Sequence, residues 1–155
     1  MLKNISSMIS PDLLWLLASM GHGDDLVLCD RNFPAIQVAK QTSTGRLIEF
    51  PGLNIPQATR AILSLMPLDH FVEEPVTRMR VVDDPDSLLE MQREVIEIAR
   101  EVEGREVKMG SLERFAFYQA ASKGAAVVRT SEFRPYGCFF LRWASFLTAD
   151  VEQCW

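Results

Sequence analysis

Apolar positions follow two patterns along this chain: stripes at helical spacing, and short continuous or alternating runs. Ser10-Pro11-Asp12 supplies a cap, a proline for the first helical position and an acid at the positive helix end. Leu13, Leu14, Leu17 and Met20 then form a stripe that Gly21 ends. Residues 26–29 are continuously apolar between acids, which predicts a buried strand. After a break at Phe33-Pro34, residues 36–38 and 47–50 read as short strands. Asn54 is placed to cap a second helix carrying Ala58, Ile62, Leu63 and Leu65, stopped before Pro67. Residues 76–82 alternate as a strand does. Asp84-Pro85 opens a third helix with Leu88, Leu89, Val95, Ile96 and Ala99 on its apolar face. Residues 107–109 predict a strand, and Ser111 a cap for a fourth helix through Phe115 and Tyr118 to about Ser122. Residues 125–128 and 139–143 are the last strands. Helices and strands alternating in this way predict an α/β layered fold, with helices covering a sheet.

The length of 155 residues suits one domain, 1–155, and the 48% hydrophobic and 24% charged fractions are those of an ordinary globular chain. A net charge of −5 argues against a nucleic-acid partner, which needs a basic face. No apolar run approaches the roughly 20 residues of a membrane span. The N-terminus lacks the apolar core of a signal peptide, so no membrane association and a cytoplasmic location are expected. Three scattered cysteines, Cys29, Cys138 and Cys154, give neither a disulfide framework nor a zinc spacing. There is no glycine-rich dinucleotide fingerprint and no phosphate-binding loop. No cofactor and no metal are expected.

The chemistry-bearing residues sit at element ends. One of only two histidines lies in Met20-Gly21-His22-Gly23-Asp24-Asp25, just before the first strand. Its glycines allow unusual backbone angles and a close approach, and its imidazole titrates near neutrality. Asp30 closes the same strand, where open α/β sheets bind ligands. Asp69, Arg114, Tyr118 and Tyr136 also fall at element ends or in turns. Arg114 and Tyr118 are one helical turn apart and can converge. Each has a plainer reading when taken alone: Tyr118 as half-buried packing, Asp69 as a turn former, Arg114 as a surface ion pair, Met79 as core.

In combination these residues resemble the family of fucose mutarotases and ribose pyranases (the RbsD and FucU proteins). The resemblance rests on Met1-Leu2-Lys3, Ile9-Ser10-Pro11, Met20-Gly21-His22-Gly23-Asp24 and Asp30-Arg31-Asn32-Phe33-Pro34-Ala35. It continues through Pro67-Leu68-Asp69, Arg114-Phe115-Ala116-Phe117-Tyr118 and Thr130-Ser131-Glu132 to Pro135-Tyr136-Gly137, covering about residues 1–143. It implies a three-layer α/β/α fold with a mixed central sheet. It implies interconversion of the α and β anomers of L-fucose or a similar aldose, the stretch 114–118 looking like the fucose branch. His22 would be the proton donor, with Asp69 and Tyr118 in proton transfer or holding the reacting hydroxyls. Asp30, Met79, Arg114, Tyr136, Gly137 and Cys138 would bind the monosaccharide. The assembly implied is a homo-oligomeric, decameric ring with sites at subunit interfaces.

Two rivals stand beside this reading: a ribose pyranase exchanging ring sizes, and a sugar-binding module without catalysis. Two departures from the family pattern matter. Cys138 stands where Asn is usual, and the tail after Trp143 does not match the family ending. The spacing also poses a geometric question. His22 and Asp30 are eight residues apart, roughly 26 Å if extended. They can share one sugar only if the glycines fold the chain back or if different subunits supply them.

Overall fold

The computed structural model describes residues 2–144. Its elements in chain order are α1 (Pro11–Ser19), β1 (Asp25–Cys29), α2 (Ala35–Ala39), β2 (Leu47–Phe50), α3 (Ile55–Leu63) and β3 (Val76–Met79), then α4 (Glu90–Glu103), β4 (Met109–Leu112), α5 (Arg114–Ala121), β5 (Ala126–Thr130) and β6 (Phe139–Arg142). All six strands join one sheet in the order β2-β5-β1-β6-β3-β4. β1 and β2 both run parallel to β5, and β3 runs parallel to β4. β6 is antiparallel to both of its neighbours, β1 and β3. The sheet is therefore mixed.

Alternate residues of β1 enter different cores. Leu26 and Leu28 pack with Leu13 and Leu16 of α1, Ile62 of α3 and Val95 of α4. Val27 and Cys29 pack with Val38 of α2 and Phe117 of α5. Burial on both faces explains the continuous apolar run, which an exposed sheet would break with polar positions. Three helices on one face and two on the other give the expected α/β/α layers.

Caps explain the elements that the sequence located well. Ser10 Oγ accepts from Leu13 N at 3.1 Å, and Asn54 and Gln57 form a reciprocal capping box at the start of α3. Four expectations are corrected. Residues 36–38 lie in helix α2 rather than a strand. Ala35, Val38 and Ala39 are buried at helical spacing while Ile36 is 54% exposed. β3 ends at Met79, not at residue 82. The third helix starts at Glu90, not at Asp84-Pro85, because a turn with an isolated Val81–Asp84 bridge and a left-handed Asp83 (φ 66°) occupies that stretch. Ser111 belongs to β4, and Glu113 caps α5 by accepting from Phe115 N at 2.8 Å and Ala116 N at 3.2 Å. The expectation of an atypical tail concerns residues beyond Ala144 and lies outside the described residues, as does Cys154. Ala144 itself is buried, with its N–H donating to Pro67 O.

Candidate active site

The carboxyl ends of β1 and β3, the start of α5 and the turn before β6 enclose a cavity of about 180 Å³. Its wall includes Asp30, Met79, Arg114, Tyr118, Tyr136 and Cys138, six of the residues singled out in the sequence. Asn32, Phe33 and Pro135 complete it. Complete ligand sites commonly enclose about 300–1,000 Å³, so this volume suits part of a site shared with another surface.

Asp30 organises the cavity. It is buried, with Oδ1 accepting from Asn32 N at 2.8 Å and Oδ2 from Gly137 N at 3.0 Å. The Cys138 thiol lies 3.7 Å from the same Oδ2. Burial pushes the Asp30 carboxyl above its ordinary pKa, against these hydrogen bonds, which favour the ionised form. Oδ2 takes both the Gly137 N–H and the Cys138 thiol, while Oδ1 keeps a lone pair for a further donor such as a sugar hydroxyl.

Gly137 is required by close approach. A Cβ there would lie 3.2 Å from Asp30 Cβ, Ile55 Cγ1 and Met91 Sδ. Gly137→Ala is expected to cost about 1–3 kcal/mol by overpacking, and to weaken ligand binding by pushing the Gly137 N–H off Asp30. Thermal melting and a ligand titration check both effects.

Arg114 and Tyr118 converge as their spacing predicts. Arg114 opens α5, with its guanidinium carbon 4.8 Å from the Phe115 ring centroid. Its buried Nε has no hydrogen-bond partner. Such a donor costs about 1–3 kcal/mol unmet, so it is set to receive an oxygen. The Tyr118 ring lies 5.4 Å from Phe33, and burial raises its phenol pKa, which keeps the O–H protonated at neutral pH. Tyr136 has a left-handed backbone (φ 61°), and its phenol oxygen accepts from Val82 N at 3.3 Å.

His22 and Asp69 are elsewhere. The loop 21–24 is tied to the far end of β6: Gly23 N donates to Trp143 O, and Trp143 N to Asp24 O. Leu68 bridges Trp143, and Asp69 N donates to Arg142 O. Both segments therefore sit at the amino end of β1, while Asp30 is at its carboxyl end. The five residues of β1 put about 17 Å of strand between them. The glycines do not fold the chain back within one subunit. Gly21 N donates to Asp24 Oδ2 at 2.8 Å, and the Asp25 carboxylate holds Arg142 through two hydrogen bonds. Asp24 and Asp25 are thus engaged structurally.

Around His22 the loop presents aromatics. Phe71, 63% exposed, stands edge to face with His22 at 5.5 Å, and the His70 ring lies 4.2 Å from it. Asp69 is buried, and its Oδ1 accepts from Phe71 N at 2.9 Å. It shapes the turn that carries this aromatic group.

Two supports behind the cavity were not singled out in the sequence. Glu132 is 1% exposed and accepts from Ile55 N, the backbone N–H groups of Phe133 and Arg134, and the Arg134 guanidinium. Its position in the Thr130-Ser131-Glu132 motif was the only sequence signal. Gln92, fully buried, joins α4 to the cavity wall. It lies outside the apolar face read from the sequence, Leu88, Leu89, Val95, Ile96 and Ala99. Among the described residues no cluster of three or more His, Cys, Asp or Glu could hold a metal ion.

Known proteins similar to this chain identify its family. The model of the RbsD / FucU transport protein family matches residues 3–145. The fucose mutarotase of Homo sapiens is 41% identical over 145 residues, covering 91% of this chain and 92% of that protein. The crystal structure of a putative sugar binding protein superposes with a TM-score of 0.91 at 41% identity, covering 95% of this chain and 97% of the other. The fucose mutarotase of Streptococcus pneumoniae in complex with L-fucose matches with a TM-score of 0.77 at 35% identity, covering 94% and 100%. With the mixed sheet, the sequence motifs and a family match spanning nearly the whole chain, the protein belongs to the RbsD / FucU family.

Proposed function

We propose that the protein is a sugar mutarotase interconverting the α and β anomers of L-fucose or a closely similar aldose. The observation that carries this reading is the Asp30–Arg114–Tyr118–Tyr136 cavity in a chain similar over nine-tenths of its length to fucose mutarotases. The reaction opens a cyclic hemiacetal. A proton goes to the ring oxygen, another leaves the anomeric hydroxyl, and the bond from C1 to the ring oxygen breaks. The open aldehyde turns about C1–C2 and recloses by the reverse steps, with no net change in protons or electrons. A positioned acid and base are what this chemistry needs, each contributing about 10²–10⁴-fold.

In the proposed site His22 of the partner subunit donates the proton. Asp30 accepts from sugar hydroxyls, Arg114 Nε donates to a sugar oxygen, and the protonated Tyr118 phenol relays or holds a reacting hydroxyl. Tyr136 and Met79 give the apolar wall for the sugar's C–H face and methyl group. Cys138 adds a small, weakly donating wall where an amide would project further. Asp69 acts through the turn beside His22.

The separation of His22 from the cavity favours a homo-oligomer in which the amino end of one sheet meets the carboxyl end of the next. Exposed apolar side chains at both ends favour it too: Ile36, Phe115 and Phe133 at 54%, 62% and 75% near the cavity, and Phe71 at 63% near His22. A decameric ring is the proposed assembly, of subunits that each form one domain. No helix among the described residues is long and apolar enough to cross a membrane. The cytoplasm is the proposed setting.

Proton NMR of anomer exchange tests the reading. Catalysed exchange of L-fucose is the expected result. Catalysis of ribose ring-size exchange with no effect on fucose would make it a pyranase. Sugar binding without acceleration would make it a binding module.

A further inference from the structure

The first turn of α4 carries a fully buried amide, Gln92, whose hydrogen bonds all end on the backbone. Its Oε1 accepts from Leu89 N at 3.2 Å. That bond fixes which end of the amide faces the cavity. Its Nε2 then donates to Met79 O at 3.2 Å and to Tyr136 O at 3.3 Å. Both amide protons and one acceptor site are used, so no other side chain of similar volume repeats the set. Methionine would fill the space and leave one buried and one part-buried carbonyl without these donors. Glutamate would face those carbonyls with a carboxylate.

The two carbonyls belong to residues of the cavity wall. Tyr136 is one of three non-glycine residues with positive φ among the described residues, a conformation that disfavours a residue carrying Cβ. Its phenol is held at the other end by Val82 N. Met79 N also donates to Cys138 O at 3.0 Å. Met79 is thus bound to the turn 136–138 on both its N–H and its C=O side, once directly and once through Gln92.

We infer that Gln92 is a positioning residue for the sugar site, holding Tyr136 in its left-handed conformation and in register with Met79. The inference rests on the mutarotase reading of this cavity. Gln92 touches no substrate, and its effect passes through Tyr136.

The test is a two-residue cycle read by NMR exchange kinetics on L-fucose and by thermal melting. Gln92→Met is expected to raise KM about tenfold while kcat changes by less than about twofold, the signature of lost uniform binding. Tyr136→Gly keeps the carbonyl that Gln92 binds and adopts positive φ without strain, but it removes the ring, so the amide no longer positions a side chain at residue 136. In that background Gln92→Met is expected to leave KM unchanged while still lowering the melting midpoint. Gln92→Glu keeps the acceptor for Leu89 N and is expected to raise KM in the same way. Full additivity of the KM effects would overturn the inference, because Gln92 would then act independently of Tyr136. An unchanged KM in both Gln92 variants would overturn it too, as would loss of the fold in both, which would make the role structural. Absence of catalysis in the unmutated protein would overturn the mutarotase reading instead, so the two failures are distinct.

Discussion

Replacing His22 by alanine is expected to remove most of the acceleration of L-fucose anomer exchange, about 10²–10⁴-fold, and to leave the melting midpoint within a few degrees. His22 is exposed and lies outside both cores, so its truncation leaves the packing of both cores intact. Its loop is held by backbone bonds to Trp143 and by Asp24 closing onto Gly21 N, none of which uses the imidazole. The loss should therefore appear in kcat without loss of structure. Exchange spectroscopy on α and β L-fucose measures the rate, and melting of the same sample measures the fold. An unchanged rate would assign the proton donor to another group.

Loss of the Glu132 charge is expected to have the largest effect on stability. The carboxylate is buried and gathers donors from α3, from its own turn and from Arg134, which Glu94 holds in turn. Breaking this pair, whose acid is buried and whose Arg134 partner is 34% exposed, costs about 3 kcal/mol, because an amide NH2 replaces one of the two oxygens that accept from Arg134 and the backbone. For a chain of this size that corresponds to a drop of about 6–12 °C in melting midpoint for Glu132→Gln.

The same group gives an acid limb to the stability profile. Burial raises the Glu132 pKa, but hydrogen bonds from Arg134 and Ile55 outweigh it, so the folded value lies below the usual one. The stabilisation is complete above the unfolded pKa of about 4.3 and is lost as pH falls through the lower folded value. Asp30 works in the opposite sense. Its pKa is raised by burial, so its protonation on acidification favours the folded state. Melting curves across the acid range should show Glu132→Gln with a shallower acid decline than the unmutated protein. A steeper decline would contradict this.

The layered fold was legible because its signals are local. Ser10-Pro11 and Asn54 mark helix starts through bonds to residues three positions on, and the apolar run of β1 reports burial on both faces. α2 was misread because a five-residue helix is too short for its period to separate from a strand. The start of α4 was misplaced because Asp84-Pro85 has the composition of a helix start but forms a turn, and the reciprocal bond that matters is made by Gln92. In the site, Asp30, Arg114, Tyr118 and Tyr136 were found as a constellation by their order along the chain, and the fold collects them. Glu132 and Gln92 escaped notice because their bonds reach Ile55 and Tyr136, 77 and 44 positions away, across elements that only the folded sheet brings together. The spacing of His22 and Asp30 had already set the central question, and the straight course of β1 answers it for a single subunit.

That separation makes the central claim testable by mixing subunits. His22→Ala and Arg114→Ala each disable one end of the sheet and leave the other intact. Each variant alone should be close to inactive. Co-expressed in equal amounts, they should form mixed rings in which about a quarter of the interfaces pair an intact His22 with an intact cavity. The account predicts recovery of about a quarter of the unmutated exchange rate on L-fucose in the mixed oligomer. Mixed oligomers no more active than either variant alone would contradict a site shared between two subunits.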